Sequence, residues 1–168
     1  MLQTCLENFT FGIGTFSVFV TSTSPVTTEG TLAAVQAAIN EVQAKGIRGV
    51  AVSPDLLGVQ SRIVLTFLPT TTTEDKSTIT KQVQTNVVDY VNNLRPGETL
   101  VVNEIRQRVM ETSEQLHDML ITNLIIGDFN LVTGVIDNAD NTLSIANQTA
   151  NLREKFVSSR TLIEVCCI

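Results

Sequence analysis

The 168-residue sequence contains no tryptophan, one tyrosine, one histidine, three cysteines and four prolines. Many enzymes use histidine as a general acid, a general base or a metal ligand, and this sequence has only one histidine for such roles. The cysteines lie at positions 5, 166 and 167, which fits neither a disulfide framework nor a C-x-x-C metal spacing. The sequence therefore predicts no catalytic, cofactor-binding or metal-ligating residue, no cofactor, and a protein that is not an enzyme.

Basic residues and long apolar runs are also scarce. Eleven lysines and arginines stand against seventeen acidic residues, for a net charge of -6. Because such a chain repels a phosphate backbone and has no basic cluster, we expect no nucleic-acid partner. No apolar run approaches the ~20 residues that cross a bilayer, and the start lacks the basic flank of a signal peptide. We therefore expect no membrane partner, and synthesis in the cytosol.

A few residues allow a sharper chemical interpretation. His117 could act as a base, and Glu111, Glu114 and Asp118 could form a carboxylate pair, but a charged helix end followed by a surface turn explains them more simply. The acidic run at 137–141 lacks the alternating oxygens and the bidentate glutamate of a calcium loop, so a turn is favoured.

The three cysteines leave a second alternative. Cys5 would meet Cys166 or Cys167 if the two terminal strands paired, whereas the simpler interpretation is small side chains within strands. Counting free thiols without reductant distinguishes the two.

The centre of the chain has the clearest periodicity. Residues 59–67 alternate apolar and polar, which predicts a strand with one buried face. Residues 74–94 change to helical spacing, with Thr71 and Glu74 at the distance of a capping box, although any threonine of 70–73 could be the cap. A short helix capped by Asn103 follows, and residues 118–126 are apolar on both faces, which predicts a strand covered on both sides.

The flanking segments are predicted from the same patterns. Strand 15–21, helix 30–44 and strand 47–53 form a parallel crossover unit, with Leu32, Val35, Ile39 and Val42 as the buried stripe of the helix. Towards the end of the chain, residues 129–136 and 142–145 are predicted as strands around the turn at 137–141, and residues 161–168 as a terminal strand.

Together these elements predict an α+β fold with two small strand-helix-strand subdomains in series and a C-terminal β extension. The predicted boundaries are 1–56, 57–127 and 128–168. The last segment is expected to return to the core or to reach a partner, since a terminal apolar strand needs a neighbouring strand.

Seven stretches resemble the C-terminal half of the baseplate J-like family, the wedge proteins of contractile phage tail baseplates. They are residues 14–20, 32–39, 45–50, the Pro-Gly-Glu-Thr corner at 96–99, 119–126, 152–157 and 161–165. Members of the family are usually much longer, so the resemblance implies that the N-terminal half is absent or encoded separately. The segment 127–150 is longer than the family pattern.

The resemblance implies a structural virion protein in the tail baseplate, made in the host cytoplasm during assembly. It would bind other wedge and hub proteins, and copies of itself, in a ring around the hub. The alternatives are an adaptor that attaches tail fibre proteins, the equivalent component of a non-phage contractile injection system, and a small enzyme. The residues predicted to contact partners lie in two apolar strands: Leu162, Ile163, Val165 and Ile168, with Met119 and Ile121.

Overall fold

The computed structural model describes residues 3–7, 14–21, 27–44, 47–140 and 146–168, which form three helices and ten strands. The helices are α1 (Glu29–Val42), α2 (Thr73–Asn93) and α3 (Val102–Met110). The strands are β1 (Gln3–Glu7), β2 (Thr15–Thr21), β3 (Arg48–Val52), β4 (Asp55–Phe67), β5 (Thr99–Leu100), β6 (Leu116–Phe129), β7 (Ile136–Asp140), β8 (Gln148–Thr149), β9 (Glu154–Val157) and β10 (Ile163–Cys167).

The first three strands form a small sheet with the order β1-β2-β3. Strands β2 and β3 are parallel and α1 connects them, which confirms the predicted crossover unit. Helix α1 is capped by Thr28, whose hydroxyl accepts from the Thr31 amide. Val18, Val20 and Ile39 form the buried centre of this unit.

The main sheet is organised around the thirteen-residue strand β4. One edge of β4 pairs with β6 in antiparallel orientation, and β7 follows on β6. The other edge pairs with two strands placed end to end, β9 along residues 55–58 and β10 along residues 61–65, both parallel to β4. The C-terminal strands therefore complete the same sheet as the central strand.

Helices α2 and α3 pack on one face of the main sheet. The cap of α2 is Thr72, which accepts from the amide of Asp75, so the cap lies one residue after the predicted pair. The sheet and the helices bury a continuous apolar core: Val59, Ile63, Leu65 and Phe67 of β4, Ile79, Val83, Val87 and Val91 of α2, and Ile105, Val109, Met119, Ile121, Leu124, Phe156 and Ile163. Burial of such side chains is the main stabilising term of the fold.

The described residues confirm the predicted α+β class. Apolar contacts form two clusters, one around Val18, Val20 and Ile39 and a larger one across the main sheet. The three predicted domain boundaries stay a prediction.

A β-bulge in β6 corrects the prediction that residues 118–126 are covered on both faces. Arg62 pairs with Asn123 but the next residue of β4 pairs with Ile121, so Thr122 is an extra residue. The bulge reverses the alternation, and Met119, Ile121 and Leu124 therefore all point into one core. The apolar residues of 118–126 therefore do not indicate a strand buried on both faces, since Leu120 is 54% exposed on the opposite face.

Three further predictions about local structure are wrong. Helix α3 begins after Val101, which gives no side-chain cap, and the Val102 amide instead donates to Asn147 Oδ1 at 3.0 Å. The strand predicted at 129–136 is the end of β6, a turn and the start of β7. Val42 of α1 is exposed. The strand predicted at 142–145 lies outside the described residues.

Candidate interaction surfaces

The face of the main sheet opposite α2 and α3 carries an apolar row. Val64 of β4 pairs with Leu120 of β6 on one side and with Cys166 of β10 on the other. Strand alternation directs these side chains away from the helices, and Leu120 is 54% exposed. We call Val64, Leu120 and Cys166, together with the exposed Ile168 just beyond β10, the outer face.

A charged pair borders this row. Arg62 Nε lies 3.5 Å from Glu164 Oε2, and both side chains are exposed, so the pair adds little to stability. The hydrogen bond to the Cys166 sulfur, and then the charge of Glu164, raise the pKa of Arg62 above its ordinary value. The outer face therefore combines apolar side chains with a fixed positive and a fixed negative group.

A second exposed apolar group lies in the turn between β6 and β7. Leu131, Val132 and Val135 are 53%, 95% and 51% exposed, and we call these three residues the hairpin tip. The Asn130 amide donates to the Val135 carbonyl at 2.9 Å, and Gly134 takes a positive φ of 69°. The backbone of the tip is therefore a closed, hydrogen-bonded turn.

The side chain of Asn130 orders the tip further. Its Oδ1 accepts from the amides of Val132 and Thr133 at 3.0 and 3.2 Å, and its Nδ2 donates to Asp137 Oδ2 at 2.9 Å. The turn thus presents apolar side chains in one backbone conformation, which lowers the entropy that a partner must overcome on binding.

Side-chain amides cover the free edge of β3. Gln36 of α1 donates from Nε2 to the Gly49 carbonyl at 3.0 Å and accepts at Oε1 from the Ala51 amide at 2.8 Å. Gln43 Oε1 accepts from the Gly49 amide at 3.1 Å. These two glutamines take the place that a neighbouring strand would occupy.

Side-chain amides of helix α2 likewise cover part of the edge formed by β9 and β10. Gln84 Nε2 donates to the carbonyls of Arg160 and Ile163 at 2.6 and 2.7 Å. Asn92 exchanges two hydrogen bonds with the backbone of Ser158. The loop between β9 and β10 is therefore held against α2, and this cover ends at Ile163.

The structure separates the six residues that were predicted to contact partners. Leu162, Ile163, Met119 and Ile121 are buried in the core of the chain itself, and Val165 is half-buried. Ile168 alone of the six is strongly exposed, at 78%. A buried side chain contacts a partner only if the core opens. An interface role for the four buried residues would therefore require the core to unpack. The interface role of the six residues stays a prediction.

Sequence patterns missed the exposed apolar residues for identifiable reasons. Leu120 lies between the two predicted residues of β6 and points to the opposite face. The hairpin tip was assigned to a strand, although the sequence 130–134 ends in a glycine, which is a turn signal.

The titratable residues considered for chemistry lie apart from any enclosed site. His117, Glu111, Glu114 and Asp118 are all exposed. Within the described ranges, no group of three histidine, cysteine, aspartate or glutamate residues could hold a metal ion. Cys166 and Cys167 are free, and β1, which carries Cys5, belongs to a different sheet from β10; the Cys5 side chain lies outside the described residues.

Lys155 is an unusual basic residue because it is only 4% exposed. Burial lowers the pKa of its ammonium group below the ordinary value of 10.5. In the part of the chain that the structure describes, the ammonium has no hydrogen bond or ion pair. Lys155 therefore costs stability when it is charged.

No helix among the described residues is long and apolar enough to cross a membrane. No family model and no curated protein matches the sequence. Among solved structures, the chain is similar to a chain of the anti-feeding prophage (AFP) baseplate, determined by cryo-electron microscopy with six-fold symmetrisation. The similarity covers 88% of this chain with 11% identity and a TM-score of 0.47, and it spans 29% of the length of that chain. Membership of the baseplate J-like family stays a prediction.

Proposed function

We propose that this chain is a structural component of a contractile tail baseplate, in the wedge, and that it acts by protein–protein assembly into a ring around the tail hub. The sequence resemblance to the baseplate J-like family suggests the baseplate. The observation that carries a role in assembly is the hairpin tip, an ordered turn with three exposed apolar side chains.

Exposure of such a tip to solvent is unfavourable. Val132 is 95% exposed, and full burial of a valine stabilises by roughly 1.5 to 3 kcal/mol. Residues that dominate interfaces are commonly apolar anchors that fill a pocket on the partner. We infer that a wedge or hub protein covers Leu131 and Val132.

Paired substitutions test this role. Val132→Ser removes the anchor, and Val42→Ser is the matched control, because Val42 is 82% exposed on α1. Each variant is supplied to particles that lack the wild-type chain. We expect Val132→Ser to reduce incorporation into the baseplate and Val42→Ser to leave it unchanged, while circular dichroism melting of both variants matches the wild type. Equal incorporation of the two variants would refute the role of the tip.

Location is tested separately by negative-stain electron microscopy of tailed particles with an antibody to this chain. Label at the distal end of the tail is the expected result. Particles without label would refute the proposal of a baseplate component. If label is present but capture recovers fibre proteins in place of wedge or hub proteins, the chain is a fibre adaptor.

A further inference from the structure

The edge of β10 that faces away from β4 is covered at one end and open at the other. Two bonds show the direction of the ladder: the Ser61 amide donates to the Leu162 carbonyl, and the Ile168 amide donates to the Leu65 carbonyl. In a parallel pair, alternate residues of a strand bond to the same neighbour. The even-numbered residues of β10 therefore bond to β4, and the backbone groups of Ile163, Val165 and Cys167 point outward.

The first of these outward residues is already satisfied. The Ile163 amide donates to the Ser159 carbonyl at 3.2 Å, and its carbonyl accepts from Gln84 Nε2 at 2.7 Å. Among the described residues, the backbone amides and carbonyls of Val165 and Cys167 have no such partner. The open part of the edge therefore consists of two outward residues, Val165 and Cys167, with the inward residue Cys166 between them.

An opening of this pattern is self-complementary. When two antiparallel strands meet around a two-fold axis at Cys166, Val165 of one copy lies opposite Cys167 of the second copy, and the reverse pair forms at the same time. Each pair exchanges two backbone hydrogen bonds, so four bonds use all the open groups. Any register that needs Ile163 is blocked, because Gln84 and Ser159 hold its amide and its carbonyl.

The side chains favour this arrangement. The side chains of residues 165–168 carry no charge, so no lysine, aspartate or glutamate side chain protects the open edge. In the self-paired register Glu164 lies opposite Ile168 of the second copy, so the two Glu164 side chains do not face each other. Ile168, which is 78% exposed, becomes partly covered.

We propose that β10 pairs with β10 of a second copy of this chain, as an antiparallel two-fold contact centred on Cys166. This deepens the proposed function by naming one partner, but its test uses the purified chain and is independent of the baseplate. A contact of two residues per strand is small, so the dimer is expected to be weak and to depend on concentration.

Cross-linking tests the register. In a non-hydrogen-bonded antiparallel pair the two Cα atoms are about 4.5 Å apart, which a disulfide can bridge. Diamide oxidises the two thiols by taking up two electrons and two protons. In a Cys5→Ser background, we expect the Cys167→Ser variant to form a disulfide dimer through Cys166, and the Cys166→Ser variant to form little, because the two Cys167 residues are offset along the strands. Equal dimer from both variants would overturn the register.

A proline variant tests the backbone hydrogen bonds. Cys167→Pro keeps Cys166 but removes one outward amide, and proline is tolerated at the edge of a sheet. Loss of the dimer relative to Cys167→Ser, with an unchanged circular dichroism spectrum, is expected. A dimer that persists in Cys167→Pro would contradict strand pairing.

Hydrogen exchange of the wild-type chain under reducing conditions gives a measurement that needs no variant. The amides of Val165 and Cys167 should exchange more slowly at high protein concentration than at low concentration, whereas those of Glu164 and Cys166, bonded within the chain, should not change. Exchange at Val165 and Cys167 that is independent of concentration would overturn the proposal.

Discussion

Replacing Gln36 by methionine removes the amide that covers the edge of β3 and keeps a side chain of similar length. Two bonds to β3 are lost, to the Gly49 carbonyl at 3.0 Å and from the Ala51 amide at 2.8 Å, together with an exposed bond within α1, to Asn40 Oδ1 at 2.9 Å. A hydrogen bond of this kind contributes about 0.5 to 1.5 kcal/mol net, so loss of the two bonds to β3 destabilises this edge by about 1 to 3 kcal/mol.

The hydrogen exchange rate of the Ala51 amide measures the loss of its bond to Gln36. A loss of about 0.5 to 1.5 kcal/mol should raise its hydrogen exchange rate about twofold to tenfold, since 1.4 kcal/mol corresponds to a factor of ten. The amides of Val50 and Val52 bond to β2 and should change less. Exchange is followed residue by residue by nuclear magnetic resonance.

Gln43→Met provides the matched control, because Gln43 accepts from the Gly49 amide and makes no bond to Ala51. Each substitution should therefore accelerate a different amide of the same strand: Ala51 for Gln36→Met and Gly49 for Gln43→Met. If both substitutions accelerate both amides equally, or neither does, the two glutamines do not act as separate covers of the edge.

Two further substitutions probe packing and charge. Gly49→Ala should destabilise the chain by about 1 to 3 kcal/mol in urea unfolding, because a Cβ there would meet Ile39 and the ring of Phe16, whereas Gly30→Ala, where a Cβ meets nothing within 4 Å, should not destabilise; equal effects would contradict the packing. Lys155→Met should stabilise by on the order of 1 kcal/mol at neutral pH, while the exposed Lys81→Met should change little. The pKa of Lys155 is lowered in the folded state, so its charged form costs stability at pH values below that pKa, and the gain from methionine should shrink as the pH rises towards 10.5; a gain that is independent of pH would refute this explanation.

Local patterns predicted most elements of the fold. The helical spacing of residues 74–94 and the alternation of residues 59–67 place α2 and β4 to within a few residues. Such patterns succeed because each element buries one face, and that face repeats with the period of its own backbone. Local periodicity does not predict contacts between distant segments. The cap of α3 is such a contact, because Asn147 lies 45 residues after Val102, whose amide it accepts from.

The surfaces were harder to predict than the core. An apolar residue in a strand signals burial, and the phase of the strand decides which face it joins. One extra residue at Thr122 exchanged those faces, so Leu120 is exposed while Met119 and Ile121 are buried. The sequence carries no local signal for a bulge that arises from the pairing of β4 with β6.

The sequence by itself determined the class of the fold, the positions of the main helices and strands, and a composition with few residues suited to catalysis, because these depend on local periodicity and residue type. The tertiary structure alone decided which apolar residues face solvent and which strand edges stay open. Both depend on contacts between segments far apart in the chain: Gln36 meets Ala51, and Gln84 meets Ile163, only after the helices have packed on their sheets. The exposure of a side chain and the pairing of a strand edge are therefore determined by the assembled sheets and not by any single segment of the sequence.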